Sequence, residues 1–181
     1  RVIGAAADAH RLPPLDLAVE QGSDLIVCGE TVQVFDTPGH TVGHVAFYFP
    51  DSGAAFTADT LMAMGCGRLF EGTPDMMWAS LSALMALPPE TTICSGHEYT
   101  ASNARFALTI EPENPDLISR VQQITQARAD NRPTVPSKLA DEIATNPFLR
   151  ANVPEIKAAL GMEHAEDVAV FAEIRRRKDN F

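Results

Sequence analysis

The stretch AAFTADTLMAMGCGRLFEGTPDMMWASLSALMALPPETTICSGH, residues 54–97, decides how this chain folds. It opens with a short β-rich run, 54–59, and closes with another, 91–95. Between them lies a helix with its own punctuation. Thr73 serves as N-cap and Pro74 as first helical residue, Met77, Leu81, Leu84 and Met85 recur at helical spacing, and Pro88 and Pro89 stop it. Strand, helix, strand predicts a crossover packed on one face of a shared sheet.

Working outward, TVQVFDT (31–37) and HVAFYFP (44–50) alternate with period two, and PDSG (50–53) reads as the hairpin turn after them. One helix interrupts the strands before residue 112; after it only helical patterns follow. Asn114 and Pro115 open one helix, with Leu117, Val121 and Ile124 inside; Ser137 opens a second that halts before Pro147. A third runs from Pro154 to Leu160 with Gly161 as C-cap, and a last covers about 165–178. The chain reads as an α+β protein with a β-rich unit, 1–111, and an all-α unit, 112–181.

Composition narrows the function. With 181 residues and 45% hydrophobic content the chain can bury a core. A formal net charge of −10 repels phosphate backbones, so nucleic acid is not an expected partner. No apolar run approaches the roughly 20 residues of a membrane span. Cys28, Cys66 and Cys94 are odd in number and scattered, which fits reduced thiols and a cytoplasmic setting.

Three metal-capable side chains follow strands: His40 after Pro38 and Gly39, Asp59 at the end of AAFTAD, and His97 after Gly96. If those strands share a sheet and a direction, all three meet on one rim. Imidazole nitrogen and carboxylate oxygen at about 2.0–2.2 Å suit zinc or a similar ion. A lone histidine after a glycine is more often an ordinary loop residue, so the residues alone leave both readings open. His10, in DAHRLPP, reads as a solvent-facing loop residue. Cys94, beside Ile93, is expected to face the core, which argues against thiol catalysis.

TPGHTVGHVAFYF, FTADTLMAMGCGRLFEGT, SGHEYTASNARFALTIEPENP, VPSKLADEIATNPFLR and RRRKDNF together resemble the glyoxalase II (hydroxyacylglutathione hydrolase) family of the metallo-β-lactamase superfamily, in continuous order from about residue 31 to the last. The resemblance implies part of an αββα sandwich followed by a helical glutathione-binding domain. It implies hydrolysis of S-D-lactoylglutathione to D-lactate and glutathione at a centre of two divalent ions, zinc with iron or manganese as alternatives, and no protein nucleophile. It assigns His40 to one ion, His97 to the other and the catalytic carboxylate Asp59 to both. His44, second histidine of the H-T-x-G-H pattern, is implied to support the site from beneath. Arg175 and Lys178, with Arg68, Phe70 and Tyr99, are implied to contact glutathione. Ala58 replaces the glycine usual before the metal-binding aspartate.

The family's T-H-x-H-x-D-H motif occurs nowhere in the chain. The resemblance places it ahead of Arg1, so the chain is expected to be the family's second part, metal-depleted on its own. Alternative readings are a non-catalytic fragment, a glutathione-binding module, or an oxidoreductase like the superfamily's persulfide dioxygenases, which lack a long helical extension after the position of Glu111. A nuclease would want basic grooves that this chain does not show. An exposed sheet edge is expected to favour self-association.

Overall fold

Period-two runs from well-separated parts of the chain pair into one mixed sheet. In the computed structural model, which describes residues 1–181, β1 (Ile3–Ala5) and β2 (Leu17–Val19) form a small parallel pair. β3 (Leu25–Val27), β4 (Glu30–Asp36), β5 (Val45–Phe49) and β6 (Ala54–Ala58) then run antiparallel in succession. The hairpin β7 (Leu61–Met62) and β8 (Gly65–Cys66) leads to α1 (Pro74–Met85) and β9 (Thr92–Ser95). β9 pairs parallel with β6, so α1 is the crossover that the strand–helix–strand order requires. Thr73 caps α1 by accepting the Met76 N–H at 3.3 Å.

The remainder is largely helical: α2 (Thr100–Ile110), α3 (Pro115–Ala129), a two-residue strand β10 (Ser137–Lys138), α4 (Leu139–Thr145), α5 (Pro154–Leu160) and α6 (Asp167–Asp179). The main sheet has the order β10-β9-β6-β5-β4-β3. One face, carrying Ala46, Tyr48, Ala55 and Ile93, packs against Met77, Leu81 and Leu84 of α1 and Phe171 and Ile174 of α6. A fully buried leucine such as Leu81 contributes about 1.5–3 kcal/mol. The α4 end is tied to β7–β8 by polar groups. Buried Glu142 accepts the Met64 N–H at 2.8 Å, and Asn146 donates to Gly65 O at 3.1 Å. No helix is long and apolar enough to cross a membrane.

Four expectations are corrected. A second helix, α2, precedes residue 112; its inner face is Ala104, Phe106, Ala107 and Ile110, and two alanines leave a faint apolar stripe. The region after residue 112 is not all helical, because Ser137 and Lys138 pair with Ile93 and Thr92 at the sheet edge. Ser137 therefore does not cap α4, which starts at Leu139 with Lys138 in the cap position. Cys94 does not face the core: period two turns Ile93 inward and Cys94 to the opposite face, beside Phe56, which is 48% exposed. His10 is solvent-exposed, as expected.

Candidate metal and thioester site

Sheet topology aims three strands at one rim. β4 is antiparallel to β5, and β5 to β6, so β4 and β6 share a direction with the parallel neighbour β9. Their carboxyl ends deliver His40, Asp59 and His97 to the same edge. A bulge between Phe56 and Ala58 turns the chain just before Asp59 and leaves Ala58 at φ +45°.

The carboxylate of Asp59 lies between the two imidazoles. His40 Nε2 is 3.5 Å from Asp59 Oδ2, and His97 Nε2 is 3.6 Å from Asp59 Oδ1. Two ligand atoms on one tetrahedral ion with bonds of 2.0–2.2 Å sit roughly 3.4 Å apart, so each separation matches a shared ion. Asp59 Oδ1 is buried without a hydrogen-bond partner, which an ion would supply. The close surroundings reserve that space. A Cβ on Gly96 would stand 2.8 Å from Asp59 Oδ1, and one on Gly67 would stand 2.9 Å from His40 Nδ1. The donor set therefore fits divalent metal, which His40, Asp59 and His97 would hold. No group of three or more His, Cys, Asp or Glu side chains surrounds a single metal position.

Hydrogen bonds set the tautomers. His40 Nδ1 lies 2.8 Å from the Arg68 carbonyl, so Nδ1 carries a proton and Nε2 is the ring nitrogen that faces Asp59. His44 Nε2 accepts the Asp59 N–H at 3.3 Å, which leaves its Nδ1–H to donate to Thr41 Oγ1 at 3.0 Å. Burial, then the neighbouring His40, push the His44 imidazolium down from its usual range.

All eight of the other singled-out residues, His40, Asp59, Arg68, Phe70, His97, Tyr99, Arg175 and Lys178, line one cavity of about 480 Å³. The exposed Phe70 ring lies 4.9 Å from the His40 ring, and Tyr99 stacks on His97 at 5.2 Å. Arg175 is 5% exposed, donates to Cys66 O at 3.1 Å and pairs with Asp179 at 2.7 Å. Arg68 also reaches that carboxylate, at 3.6 Å. Lys178 has no acid to itself; its ammonium lies over the Phe106 and Phe181 rings at 5.3 Å. Burial, then Arg175, Arg105 and Arg68, hold it down to about 8, with Asp179 opposing. In a chain of net charge −10, this is an anion-seeking corner.

Sequence reasoning missed several residues that build the site. Glu71, held by Arg11, accepts the Val42 N–H at 2.9 Å and so fixes the His40–His44 loop; Arg11 holds its carboxyl down to about 2. Asn103 lines the cavity and donates to Ala63 O at 3.1 Å. Arg105 adds charge beside Lys178. None stands at a strand end or in a metal-ligand spacing, and only the packed structure reveals them. Burial pushes the Cys66 thiol up to about 11, against the influence of Arg175, so it is no nucleophile.

A mixed sheet with this rim and flanking helices defines a metallo-beta-lactamase-type protein, and the model of the metallo-beta-lactamase superfamily matches residues 8–97. Similarity to solved structures shows the same fold. ETHE1 from Myxococcus xanthus superposes with a TM-score of 0.62 at 21% identity over 97% of this chain and 56% of its own. The BLEG-1 B3 metallo-beta-lactamase gives 0.57 at 22%, over 82% and 64%. The hydroxyacylglutathione hydrolase C-terminus model matches residues 98–181. This chain belongs to the hydroxyacylglutathione hydrolase family. It is 69% identical to the hydroxyacylglutathione hydrolase of Cereibacter sphaeroides, over all of this chain and 71% of that protein. The Ruegeria pomeroyi protein of that name is 64% identical over 99% and 71%, and that of Methylococcus capsulatus 53% over 99% and 70%.

Proposed function

We propose that this rim binds two divalent metal ions, zinc with iron or manganese as alternatives, and that the complete site hydrolyses glutathione thioesters, S-D-lactoylglutathione giving D-lactate and glutathione. The observation that carries the reading is the Asp59 carboxylate offering one oxygen to each of two imidazoles. His40 with Asp59 Oδ2 would hold one ion, and His97 with Asp59 Oδ1 the other. Ions held there would supply Lewis acidity for the thioester carbonyl and acidify a water enough to furnish a nucleophile at neutral pH.

The remaining work falls to protein groups. The Arg68 carbonyl keeps the His40 proton on Nδ1, so the facing nitrogen stays a donor of electrons. His44 holds the Asp59 backbone from beneath. Lys178 and Arg68 attract the carboxylates of the tripeptide, and the Tyr99 hydroxyl offers a hydrogen bond at the mouth. Phe70 covers the His40 ring and supplies apolar contact. Arg175, buried beneath, has an unpartnered Nε and adds positive potential. In this division residues 1–111 carry the metal rim together with Arg68, Phe70 and Tyr99, and 112–181 add the buried and half-buried cations Arg175 and Lys178.

Each ion would receive one imidazole and one carboxylate oxygen from this chain, where three or four protein ligands are usual. This supports weak metal affinity and low activity for the 181-residue chain by itself. We place the protein in the cytoplasm, in keeping with three free thiols, with a role in methylglyoxal detoxification and no nucleic-acid or membrane partner. Self-association would use the β3 edge, where Ile26 is 72% exposed.

Hydrolysis of S-D-lactoylglutathione, followed with increasing zinc, iron or manganese, tests the reading. Metal-dependent turnover abolished by Asp59→Asn is expected. Binding of metal and glutathione with no thioester cleavage at any loading would favour a glutathione-binding module instead.

A further inference from the structure

Glu98 stands between His97 and Tyr99 and points the other way. Its Oε1 accepts the Thr134 N–H at 2.7 Å, the Thr134 hydroxyl at 2.7 Å and Arg128 Nη1 at 3.0 Å. Thr134 lies in the loop between α3 and β10, far along the chain. Arg128 also donates to Arg132 O at 3.3 Å, and Arg132 pairs with Asp130 at 3.2 Å, so that loop is closed on itself.

The strap from β9 to α2 has few other holds. Gly96 N–H donates to Ala58 O at 2.8 Å, and Ser95 Oγ donates to His97 O at 3.1 Å. Tyr99 occupies the cap of α2 without a side-chain cap bond. His97 has a side chain 53% exposed and Tyr99 is 54% exposed, so packing does not fix either ring. The two rings stack with an interplanar angle of 22°, so displacing one alters the surroundings of the other.

We propose that Glu98 is a positioning residue: its triple contact with Thr134 and Arg128 latches the strap to the α3–β10 loop and thereby sets where the His97 imidazole and the Tyr99 hydroxyl stand on the rim. This rests on the reading of His97 as a metal ligand and Tyr99 as a glutathione contact. The helical region then does more than bind the tripeptide; it also orients one side of the metal rim. Removing a group hydrogen-bonded to a ligand commonly alters metal affinity about 10–100-fold; Glu98 makes no bond to the His97 ring and acts through the backbone beside it, and a loss of that order is the effect the latch predicts.

The test uses the 181-residue chain in three variants, Glu98→Ala, Glu98→Gln and Thr134→Ala, with ring and amide NMR signals recorded first without metal and then during titration with Zn²⁺ alone. In the metal-free chain, Glu98→Ala should shift or broaden the His97 and Tyr99 ring signals and leave His40, His44 and Trp78 in place. Thr134→Ala, which removes one contact from the far side, should move the same two rings less. Glu98→Gln keeps an acceptor oxygen for Thr134 and should resemble the parent. On titration, the zinc response of His97 should weaken by about 10–100-fold in Glu98→Ala while that of His40 changes less than threefold. Unmoved His97 and Tyr99 signals in Glu98→Ala would overturn the latch, as would equal disturbance of Trp78 and His40, the mark of a general structural role. A parent chain in which zinc touches neither histidine would overturn the metal reading alone, because the metal-free shifts report on the latch independently.

Discussion

His44 Nε2 accepts the backbone N–H of Asp59 at 3.3 Å, while its own Nδ1 lies 3.0 Å from Thr41 Oγ1. One ring thus joins the loop that carries His40 to the turn that carries Asp59. His44→Phe keeps the volume and removes both bonds. The variant should lose about 0.5–1.5 kcal/mol for each hydrogen bond in urea unfolding and bind zinc about 10–100-fold more weakly by competition with a chelator. Parent-like metal affinity would show that the ring only fills space.

Ala58 sits at φ +45°, where a Cβ crowds the following carbonyl. Ala58→Gly relieves that strain but enlarges the freedom of the unfolded chain. Since the strain is about 1–2 kcal/mol and the entropic offset about 0.4–1, a net gain near 0.5–1 kcal/mol is expected. Urea unfolding checks it, and a variant less stable than the parent would mean that the bulge relaxes around alanine at no cost.

Gly96 allows the backbone to pass close to the Asp59 carboxylate. A Cβ there would meet Asp59 Oδ1 at 2.8 Å. Gly96→Ala should displace the carboxylate and weaken zinc binding by at least tenfold, with far-ultraviolet circular dichroism unchanged. Unaltered binding would show that Asp59 has room to move.

Lys178 gives a pH prediction with a definite sign. Its ammonium is held down to about 8 from 10.5. The folded state therefore disfavours the proton. The stability contribution of this group is full above 10.5 and is lost as pH falls through 8. Carboxylate binding works in the opposite sense, because only the cation attracts an anion. KM for a glutathione thioester should climb above pH 8 in the parent and stay level to about pH 10 in Lys178→Arg, whose guanidinium keeps its charge. The same climb in both proteins would assign the titration to another group.

Much of this was legible in the residues themselves. β4 and β5 declare themselves by alternation, β6 and β9 as short β-rich runs, and α1 by Thr73, Pro74 and the prolines that follow, because each signal is local. Asp59 and the two glycine-led histidines could be placed at strand ends for the same reason, although their convergence required strand directions that only pairing supplies. β1, β2 and β3 are three residues each, with Leu17 and Ile26 exposed, so no alternation could develop. β10 exists because Thr92 and Ile93 offer an edge, not because Ser137 and Lys138 prefer extension. Cys94 was misplaced because its inward neighbour Ile93 decides the register. Glu98 carries no signal of its own in the sequence, because its partner Thr134 is 36 residues away.

The central claim is that the imidazoles of His40 and His97 share ions with one carboxylate. Zinc titration of the metal-free chain, with ring signals of all five histidines followed by NMR beside an Asp59→Ala control, tests it most directly. The account predicts that His40 and His97 both respond through Nε2, that His40 keeps its Nδ1 proton, and that Asp59→Ala weakens both responses together. A response at only one of the two, or responses unaffected by Asp59→Ala, would contradict it.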